Sequence, residues 1–273
     1  MRYSLPRSLS PSKVSVFKDC ALAFRFSALD HLPQPRTVAT VRGSLVHRAL
    51  ELVYSENAPG SRNAATAEAA VTVAVGDLRG DVESLGLDPV EASTLESDVR
   101  TLTRRCFELE DPDEVDVAGT ELRLEAPIGG VTLRGVIDRL DVEPDGSLVV
   151  VDYKTGRAPQ TTRESASLAG VHLYALLCEQ ALGIRPARLE LYYLKDGLVI
   201  TATPSDQALS ALERRTSAIW SAIERACERD DFRPRPSALC GWCSFRQYCP
   251  AFGGDPNAAR GAGSEVGSAA VAS

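Results

Sequence analysis

The sequence lacks the excess of positive charge that a protein coating nucleic acid needs. Its 30 lysines and arginines are outnumbered by 37 acidic residues, which gives a net charge of −7. Such a protein is not held on a polyanion by bulk attraction, so any contact with nucleic acid must be local. The arginines that could make it are Arg104, Arg105, Arg134, Arg139, Arg157, Arg163, Arg214 and Arg215, although scattered arginines are commonly just solvated.

Long hydrophobic runs are also missing. No stretch approaches the roughly 18 apolar residues that a membrane-spanning helix needs, and the first ten residues contain no apolar signal-peptide core. We therefore expect a cytoplasmic protein with no membrane partner. The sequence also has no G-x-x-x-x-G-K-[ST] phosphate-binding loop, so a helicase motor working with it must lie on another chain.

What is present is the composition of a folded protein. Hydrophobic residues make up 44% of the 273 residues and charged residues 25%, as is ordinary for globular domains. The seven cysteines are odd in number, and three of them lie close together between residues 240 and 249. This pattern fits thiols that bind metal in a reducing compartment better than it fits a disulfide framework.

The hydrophobic periodicity changes once along the chain. Residues 10–110 follow helical spacing: a helix begins after Ser10 with Pro11 in its first turn, a second covers 43–54, and 64–110 holds two or three more. From residue 115 short β-branched segments take over. The predicted strands are 120–124, 131–142, 147–154, 189–194 and 198–203, and the predicted helices are 165–182 and 206–230.

These elements predict an α/β core at 115–230 after a helical region at 10–110. The segment 232–252 carries the clustered cysteines. Residues 253–273 are rich in Gly, Ala and Ser, so we expect them to form a disordered tail with little to bury.

A predicted β-hairpin brings two carboxylates together. If Pro144, Asp145 and Gly146 form its loop, with Gly146 left-handed, equal steps outward place Asp138 opposite Asp152. Opposed side chains on one face have Cβ atoms about 4.5–5.5 Å apart, and like charges there repel. A divalent cation such as Mg²⁺ or Mn²⁺ would offset that repulsion.

The strand period of two puts Lys154 on the same face as Asp152. Two carboxylates, a cation and an ammonium group suit phosphodiester hydrolysis by a metal-bound water. Lys154 would orient the nucleophile or neutralise the charge that develops on the phosphoryl oxygens. The alternative is a surface hairpin with exposed acids, because an Asp-x-Lys motif alone is short and common.

Four motifs together carry a family resemblance. The run from Gly135 to Arg139 and the run from Val150 to Gly156 resemble the signature of RecB-like nucleases in the PD-(D/E)XK superfamily. The stretch 43–47 is similar to the family's upstream histidine motif, and 173–175 to its tyrosine helix. The resemblance implies a restriction-endonuclease-like mixed sheet flanked by helices, and a DNA exonuclease of repair and recombination.

The resemblance also implies a site. His47, Asp138, Asp152 and the Tyr153 carbonyl would bind the metal. Asp138, Asp152, Lys154 and Tyr174 would be catalytic. Glu121 is a further acid on a predicted strand, where a solvated side chain is the favoured interpretation.

The chain departs from the family at one position. Members usually carry Gln four residues before the tyrosine, whereas this chain has Gly170, with His172 nearby. This departure keeps open a second hypothesis, in which the chain is a catalytically weakened DNA-binding or helicase-accessory module.

The clustered cysteines form a C-x₂-C-x₅-C run of Cys240, Cys243 and Cys249. Three thiolates cannot close a four-coordinate site. AddB-type and CRISPR-associated RecB-like exonucleases hold a [4Fe–4S] cluster with one N-terminal and three C-terminal cysteines, and by this resemblance Cys20 is the fourth ligand. The alternatives are zinc in the same cage and Cys227 as the fourth ligand. We thus predict a nuclease domain at 1–252 that includes the cluster-binding segment.

Three aromatic residues, Trp242, Phe245 and Tyr248, interleave with Arg246 in this segment. They could stack on the bases of single-stranded DNA or pack around the cluster. We expect a DNA substrate with single-stranded character and, as a second partner, a separate helicase subunit.

Overall fold

The computed structural model describes residues 3–159 and 164–259, with backbone alone for 164–169. The α-helices are α1 (Pro11–Asp19), α2 (Ala21–Phe24), α3 (Val38–Glu56), α4 (Ala64–Asp77), α5 (Arg79–Glu83), α6 (Pro89–Leu109), α7 (Glu164–Leu182) and α8 (Asp206–Arg229). The strands are β1 (Val117–Ile128), β2 (Val131–Val142), β3 (Leu148–Lys154), β4 (Arg188–Tyr193) and β5 (Leu198–Ala202). A π-helical turn covers Arg25–Leu29, and short 3₁₀ turns cover Ala238–Trp242, Arg246–Tyr248 and Pro250–Phe252.

Local chemistry sets where the N-terminal helices begin and end. The Ser10 hydroxyl accepts a hydrogen bond from the Lys13 backbone N–H, and Pro11 occupies the first turn of α1, where its missing N–H costs nothing. The helix is then interrupted at Cys20, which is extended with φ −162°. Cys20 therefore lies at a break between α1 and α2.

The sheet is mixed. Its strand order is β1-β2-β3-β4-β5, with β3 antiparallel to β2 and parallel to β4, and β4 antiparallel to β5. The parallel pair requires a crossover, which α7 provides. Six of the seven residues of the central strand β3 are buried, as expected of a strand covered on both faces. The predicted α/β class, a mixed sheet with flanking helices, is confirmed.

The hairpin between β2 and β3 has the predicted register. Gly146 is left-handed with φ +83°, its N–H donates to the Glu143 carbonyl at 2.8 Å, and the Glu143 N–H donates to the Ser147 carbonyl at 2.8 Å. Arg139 is then paired with Val151. The next step outward sets Asp138 opposite Asp152.

The chain divides into two compact units. The core unit consists of Arg36–Ala126 and Gly135–Leu212. Its hydrophobic core lies between helices α3, α4 and α6 and one face of the sheet, where Leu45, Val53, Val99 and Val151 are fully buried. It contains every residue of the predicted metal site.

The terminal unit consists of Met1–Pro35, Pro127–Arg134 and Glu213–Ser273. In it the Leu9 N–H donates to the Thr132 carbonyl at 2.9 Å, and the Arg134 N–H donates to the Leu9 carbonyl at 2.7 Å. The four predicted cluster cysteines all lie in this unit. The predicted boundaries, a nuclease domain at 1–252 and a tail at 253–273, stay predictions.

Part of the predicted disordered tail is packed. The Arg25 guanidinium donates to the Pro256 carbonyl at 2.9 Å, and Ala259 is fully buried. The remainder of that tail, 260–273, and the candidate Arg163 lie outside the described residues. Among the helices that are described, none has the length and hydropathy of a membrane span.

Candidate functional site

His47 lies on α3 and contacts both strands of the carboxylate hairpin. Its Nε2 is 3.0 Å from the Tyr153 carbonyl oxygen, and its Nδ1 is 3.4 Å from Asp138 Oδ1. A histidine 91 positions before Asp138 in the sequence is thus brought into direct contact with it by the fold. The motif order predicted this meeting, which helical periodicity alone could not.

Asp138 and Asp152 lie at opposed positions of β2 and β3. Asp138 Oδ2 accepts a hydrogen bond from the Tyr153 backbone N–H at 2.8 Å. Asp152 is buried, and its Oδ2 lies in close ionic contact with Lys154 Nζ. A carboxylate has about four lone-pair sites, so Asp152 can bind a cation as well as Lys154.

The electrostatics of the site favour added positive charge. Burial, opposed by Lys154 and assisted by the charge of Asp138, raises the pKa of Asp152 to about 6. Burial and the charge of Asp138 also raise the pKa of Glu121. Desolvation and mutual repulsion thus oppose ionisation of these carboxyls, and a bound cation would reverse both effects.

Glu121 lies in the site, contrary to the favoured sequence interpretation of a solvated strand residue. One ligand atom each from Glu121, His47 and Asp138 fall within 4.8 Å of one another. The Glu121 backbone is left-handed, with φ +45°, which interrupts the alternation of β1 and redirects the side chain. The sequence carries no signal for this, because the left-handed residue is not Gly, Asn or Asp.

Lys154 and Tyr174 complete the predicted set. The Lys154 ammonium contacts the Asp152 carboxylate, which raises the pKa of Lys154 although burial opposes the shift. Burial and the charges of Asp152, Asp138 and Glu121 raise the pKa of Tyr174, so its hydroxyl stays protonated at neutral pH. Both groups can therefore donate hydrogen bonds beside the carboxylates.

Gly135 allows Tyr174 to approach the sheet. A Cβ at position 135 would lie 2.8 Å from Tyr174 Cε1 and 2.7 Å from Leu177 Cδ1, closer than carbon atoms pack. The glycine that opens the motif is therefore required by close packing. At Gly170, in place of the expected Gln, no atom of the residues that the structure describes lies within 4 Å of the position that a Cβ would take.

Arg139 cannot contact DNA as we had suggested. It is 1% exposed, and its guanidinium donates to both Glu110 oxygens at 2.6 and 2.7 Å, to Asp141 Oδ2 at 2.9 Å and to the Tyr153 hydroxyl at 2.8 Å. Alternation along β2 places it on the face opposite Asp138. It therefore holds the Tyr153 side chain on one face while the Tyr153 carbonyl contacts His47.

The donor set fits a hard divalent cation. One ligand atom each from His47, Asp138 and Glu121 lie within 4.8 Å of one another. The Tyr153 carbonyl contacts His47, and the Asp152 carboxylate is near enough to interact electrostatically with Asp138 and His47. Oxygen-rich sites of this kind suit Mg²⁺, and a single imidazole is also well tolerated by Mn²⁺. The grouping of one ligand atom each from His47, Glu121 and Asp138 is the structural observation that favours an ion here.

The four predicted cluster cysteines line one cleft of the terminal unit. Backbone N–H groups of Arg235 and Ser237 donate to the sulfurs of Cys20 at 3.5 Å and Cys240 at 3.3 Å. Burial and the nearby sulfurs of Cys20, Cys240 and Cys249 raise the pKa of Cys243. Cys227 is buried in α8 and is not among the residues that line this cleft.

The aromatic residues of the cysteine segment divide into two kinds. Phe245 is buried, with its ring centroid 5.5 Å from that of Phe26, and Tyr248 lies 6.0 Å from the same ring. These two pack the segment onto the π-helical turn. Trp242 is 89% exposed and has no such packing role.

Comparison with known proteins gives a family and a fold. The model of a family described as the PD-(D/E)XK nuclease superfamily matches residues 8–250. A crystal structure described as "Putative exonuclease" from Eubacterium rectale is 10% identical, covers 88% of this chain and 94% of its own, and has a TM-score of 0.54. At that identity the likeness shows the fold alone.

A second solved structure, described as SSO0001, is 17% identical, covers 77% of this chain and 84% of its own, and has a TM-score of 0.37. No curated protein matches the chain significantly.

Proposed function

Because the chain belongs to the PD-(D/E)XK nuclease superfamily, we propose that it is a DNA exonuclease of the RecB-like type that uses Mg²⁺ or Mn²⁺ in repair and recombination. The observation that carries this proposal is the meeting of His47, Asp138 and Asp152 beside Lys154. Nothing about the fold alone requires these side chains to converge. Phosphodiester hydrolysis assisted by a metal ion uses carboxylates that hold the ion and a cation that stabilises the developing charge.

The proposed metal ligands are His47, Asp138, Asp152 and the Tyr153 carbonyl, with Glu121 as a further one. When bound, the cation lowers the pKa of a water ligand and polarises a phosphoryl oxygen. Asp138 is preset for this role because the Tyr153 N–H fixes one of its oxygens. His47 is kept in place by its contacts to both strands.

Lys154 and Tyr174 are the proposed catalytic donors. The Lys154 ammonium is held by Asp152, where it can orient the attacking water or neutralise charge on the phosphoryl oxygens. Tyr174 brings a protonated hydroxyl towards the same carboxylates, and it can donate to a phosphate oxygen. Their separate contributions are measurable by single substitutions to Ala and Phe.

The test is cleavage of end-labelled linear DNA, single-stranded and double-stranded, with Mg²⁺, Mn²⁺ or EDTA. We expect mononucleotide or short products from linear DNA with either metal, none with EDTA, and no cutting of covalently closed circles. Cleaved circles would make the enzyme an endonuclease. Binding of DNA without cleavage under every condition would support the accessory-module hypothesis instead.

Glu121→Gln is expected to weaken divalent-metal binding by at least about tenfold, the scale on which groups around a metal site act. The substitution removes one charged oxygen from the set formed with His47 and Asp138. Titration of Mn²⁺, followed by calorimetry and by cleavage rate, measures the change. Glu125→Gln, an exposed change on the same strand, is the matched control, and equal affinities for the two variants would remove Glu121 from the ligand set.

A [4Fe–4S] cluster held by Cys20, Cys240, Cys243 and Cys249 is the second part of the proposal. A tetrahedral zinc site, with Zn–S bonds of about 2.3 Å, would bring its sulfurs to roughly 3.8 Å. The presence of all four cysteines at one cleft supports a metal centre that they hold together, and in a cluster the irons and sulfides would lie between the thiolates.

Anaerobic purification should give a brown protein with broad absorbance near about 400 nm and bound iron. We expect Cys20→Ser to lose the iron and Cys227→Ser, a change of the same chemistry at a buried position of α8, to keep it. Loss of iron from Cys227→Ser but not from Cys20→Ser would make Cys227 the fourth ligand. A colourless protein containing zinc would replace the cluster with the alternative metal.

We also propose cytoplasmic action and a helicase on a separate chain as partner. A helicase would supply single-stranded ends to the nuclease, and the sequence itself contains no phosphate-binding loop. Affinity purification from the native cell extract, followed by an ATPase assay, tests for that partner.

A further inference from the structure

The cysteine segment differs in charge from the rest of the chain. Residues 232–252 contain three arginines, Arg233, Arg235 and Arg246, and no acidic residue, whereas the whole chain carries a net charge of −7. A locally basic surface on an acidic protein is the kind of local contact that its composition leaves open for a polyanion.

Exposed apolar side chains accompany this charge. Trp242 is 89% exposed, Leu239 62% and Phe252 42%, and all three line one cleft together with Arg235 and Arg246. We call these five residues the cleft-rim patch. Two of its members are aromatic and two are basic, so it offers flat π surfaces next to positive charge.

Arg246 is available to a ligand. Its guanidinium carbon lies 4.5 Å from the centroid of the Phe252 ring, and it pairs with no carboxylate among the residues that the structure describes. An exposed guanidinium held flat on an aromatic ring is pre-positioned, because part of its side-chain freedom is already lost. Arg235 is likewise exposed and is anchored by its bond to the Lys18 carbonyl at 3.1 Å.

Trp242 takes no part in the ring contacts that hold the cysteine segment against the π-helical turn. Packing of the segment is provided by Phe245 and Tyr248 against Phe26, whereas the Trp242 side chain stands in solvent between Cys240 and Cys243 in the sequence. A large exposed aromatic side chain loses the burial energy that it could gain in a core. At 89% exposure its indole ring is open to solvent, so a base can stack on it.

We infer that the cleft-rim patch binds single-stranded nucleic acid, with a base stacked on Trp242 and phosphates near Arg235 and Arg246. Every base offers a π face, so stacking requires no particular sequence. The segment itself carries no acid, and Asp19 is the one acidic residue among the described residues that line the cleft. Positive charge therefore exceeds negative charge around the cleft, which favours a polyanion over a protein partner with mixed charges. The choice of DNA as the strand rests on the proposed function.

The test compares wild-type protein with Trp242→Ala by fluorescence anisotropy of labelled oligothymidine in EDTA, where no cleavage is expected. We expect at least about fivefold weaker binding, the lower end of base-stacking energies in alanine substitutions. Trp242→Phe keeps a π face and should bind within about threefold of wild type. Val90→Ala, which trims an apolar residue that is 75% exposed on α6, is the control for surface change and should bind normally.

An abasic oligonucleotide of equal length separates stacking from charge. It presents the same phosphates without bases, so wild-type protein and Trp242→Ala should bind it equally. Arg246→Gln should instead weaken binding to both the oligothymidine and the abasic strand. It should also lower the slope of log affinity against log salt by about 0.7. Equal affinity of wild-type protein and Trp242→Ala for oligothymidine, or equal losses on the abasic strand, would overturn the inference.

The inference about the cleft-rim patch and the proposed nuclease function can be refuted independently of each other. Binding that depends on Trp242 in a protein that never cleaves DNA would leave the patch standing and remove the proposed function. If cleavage depends on Lys154 but Trp242→Ala does not change oligothymidine binding, the proposed function stands and the inference about the patch is wrong. Unchanged iron content and thermal unfolding of Trp242→Ala exclude misfolding as the cause of weak binding.

Discussion

Replacing Lys154 with alanine is expected to lower the single-turnover cleavage rate by about 10²–10³-fold, the loss that follows removal of one preorganised electrostatic stabiliser. The ammonium group contacts the buried Asp152 carboxylate and is the one lysine that the hairpin register places on the carboxylate face. No water molecule can replace a fixed positive charge at that point. Quenched-flow measurement with end-labelled DNA and saturating Mn²⁺ gives the rate.

The matched control is Lys195→Ala, which removes an exposed lysine in the β4–β5 turn. It should cleave at the wild-type rate. DNA affinity measured in EDTA should change little in Lys154→Ala, because one surface charge contributes modestly to binding. If both lysine variants cleave normally, Lys154 has no catalytic role and the function must be reassigned to binding.

Replacing Arg139 with methionine is expected to cost about 3–5 kcal/mol of the free energy of unfolding, as when one partner of a buried ion pair is removed. Glu110 and Asp141 would lose the guanidinium that neutralises them. The Tyr153 hydroxyl would lose its bond at 2.8 Å, and the ring of Tyr54 would lose a guanidinium 4.3 Å from its centroid. Urea unfolding followed by circular dichroism measures the loss.

Arg104→Met is the comparison for this stability measurement, because Arg104 is exposed and its ion pair with Glu68 is 3.6 Å long. It should change the unfolding free energy by no more than about 1 kcal/mol. Similar values for Arg139→Met and Arg104→Met would mean that the buried network contributes nothing net. Normal stability with reduced cleavage would instead assign Arg139 a positioning role alone.

The two acids of this network, Glu110 and Asp141, should differ in how their ionisation affects the stability of the fold. Although burial opposes the shift, hydrogen bonds and the charge of Arg139 lower the pKa of Glu110, so its ionised form stabilises the fold at neutral pH. Burial raises the pKa of Asp141 from 3.8 to about 6, so its contribution to stability falls as the pH rises through that window. At neutral pH Glu110→Gln should therefore destabilise the protein more than Asp141→Asn.

Much of the fold could be predicted from the sequence because its signals are local. The loop at Pro144, Asp145 and Gly146 determined the register of β2 and β3, and strand 131–142 has the bounds that were predicted. The interruption of the first helix at Cys20 was not predicted. It depends on a single extended residue that no capping pattern marks.

The candidate site could be predicted only in part. His47, Asp138, Asp152 and Lys154 belong to ordered motifs, so their roles could be proposed before any coordinates. Glu121 could not, because its orientation depends on a left-handed backbone at a residue that rarely adopts it. The burial of Arg139 was missed for a different reason, since a lone arginine on a strand gives no sign of the acid 29 positions earlier that pairs with it.

At position 121 of β1, the side chain that best suits metal binding is not the one that best suits the backbone conformation. A glutamate held at φ +45° costs on the order of 1–2 kcal/mol, a penalty that is smaller for asparagine. In a library of variants at position 121, a screen for heat resistance should therefore enrich asparagine. A screen for activity at limiting Mn²⁺ should discard it, so the two selections would rank the same variants in opposite order.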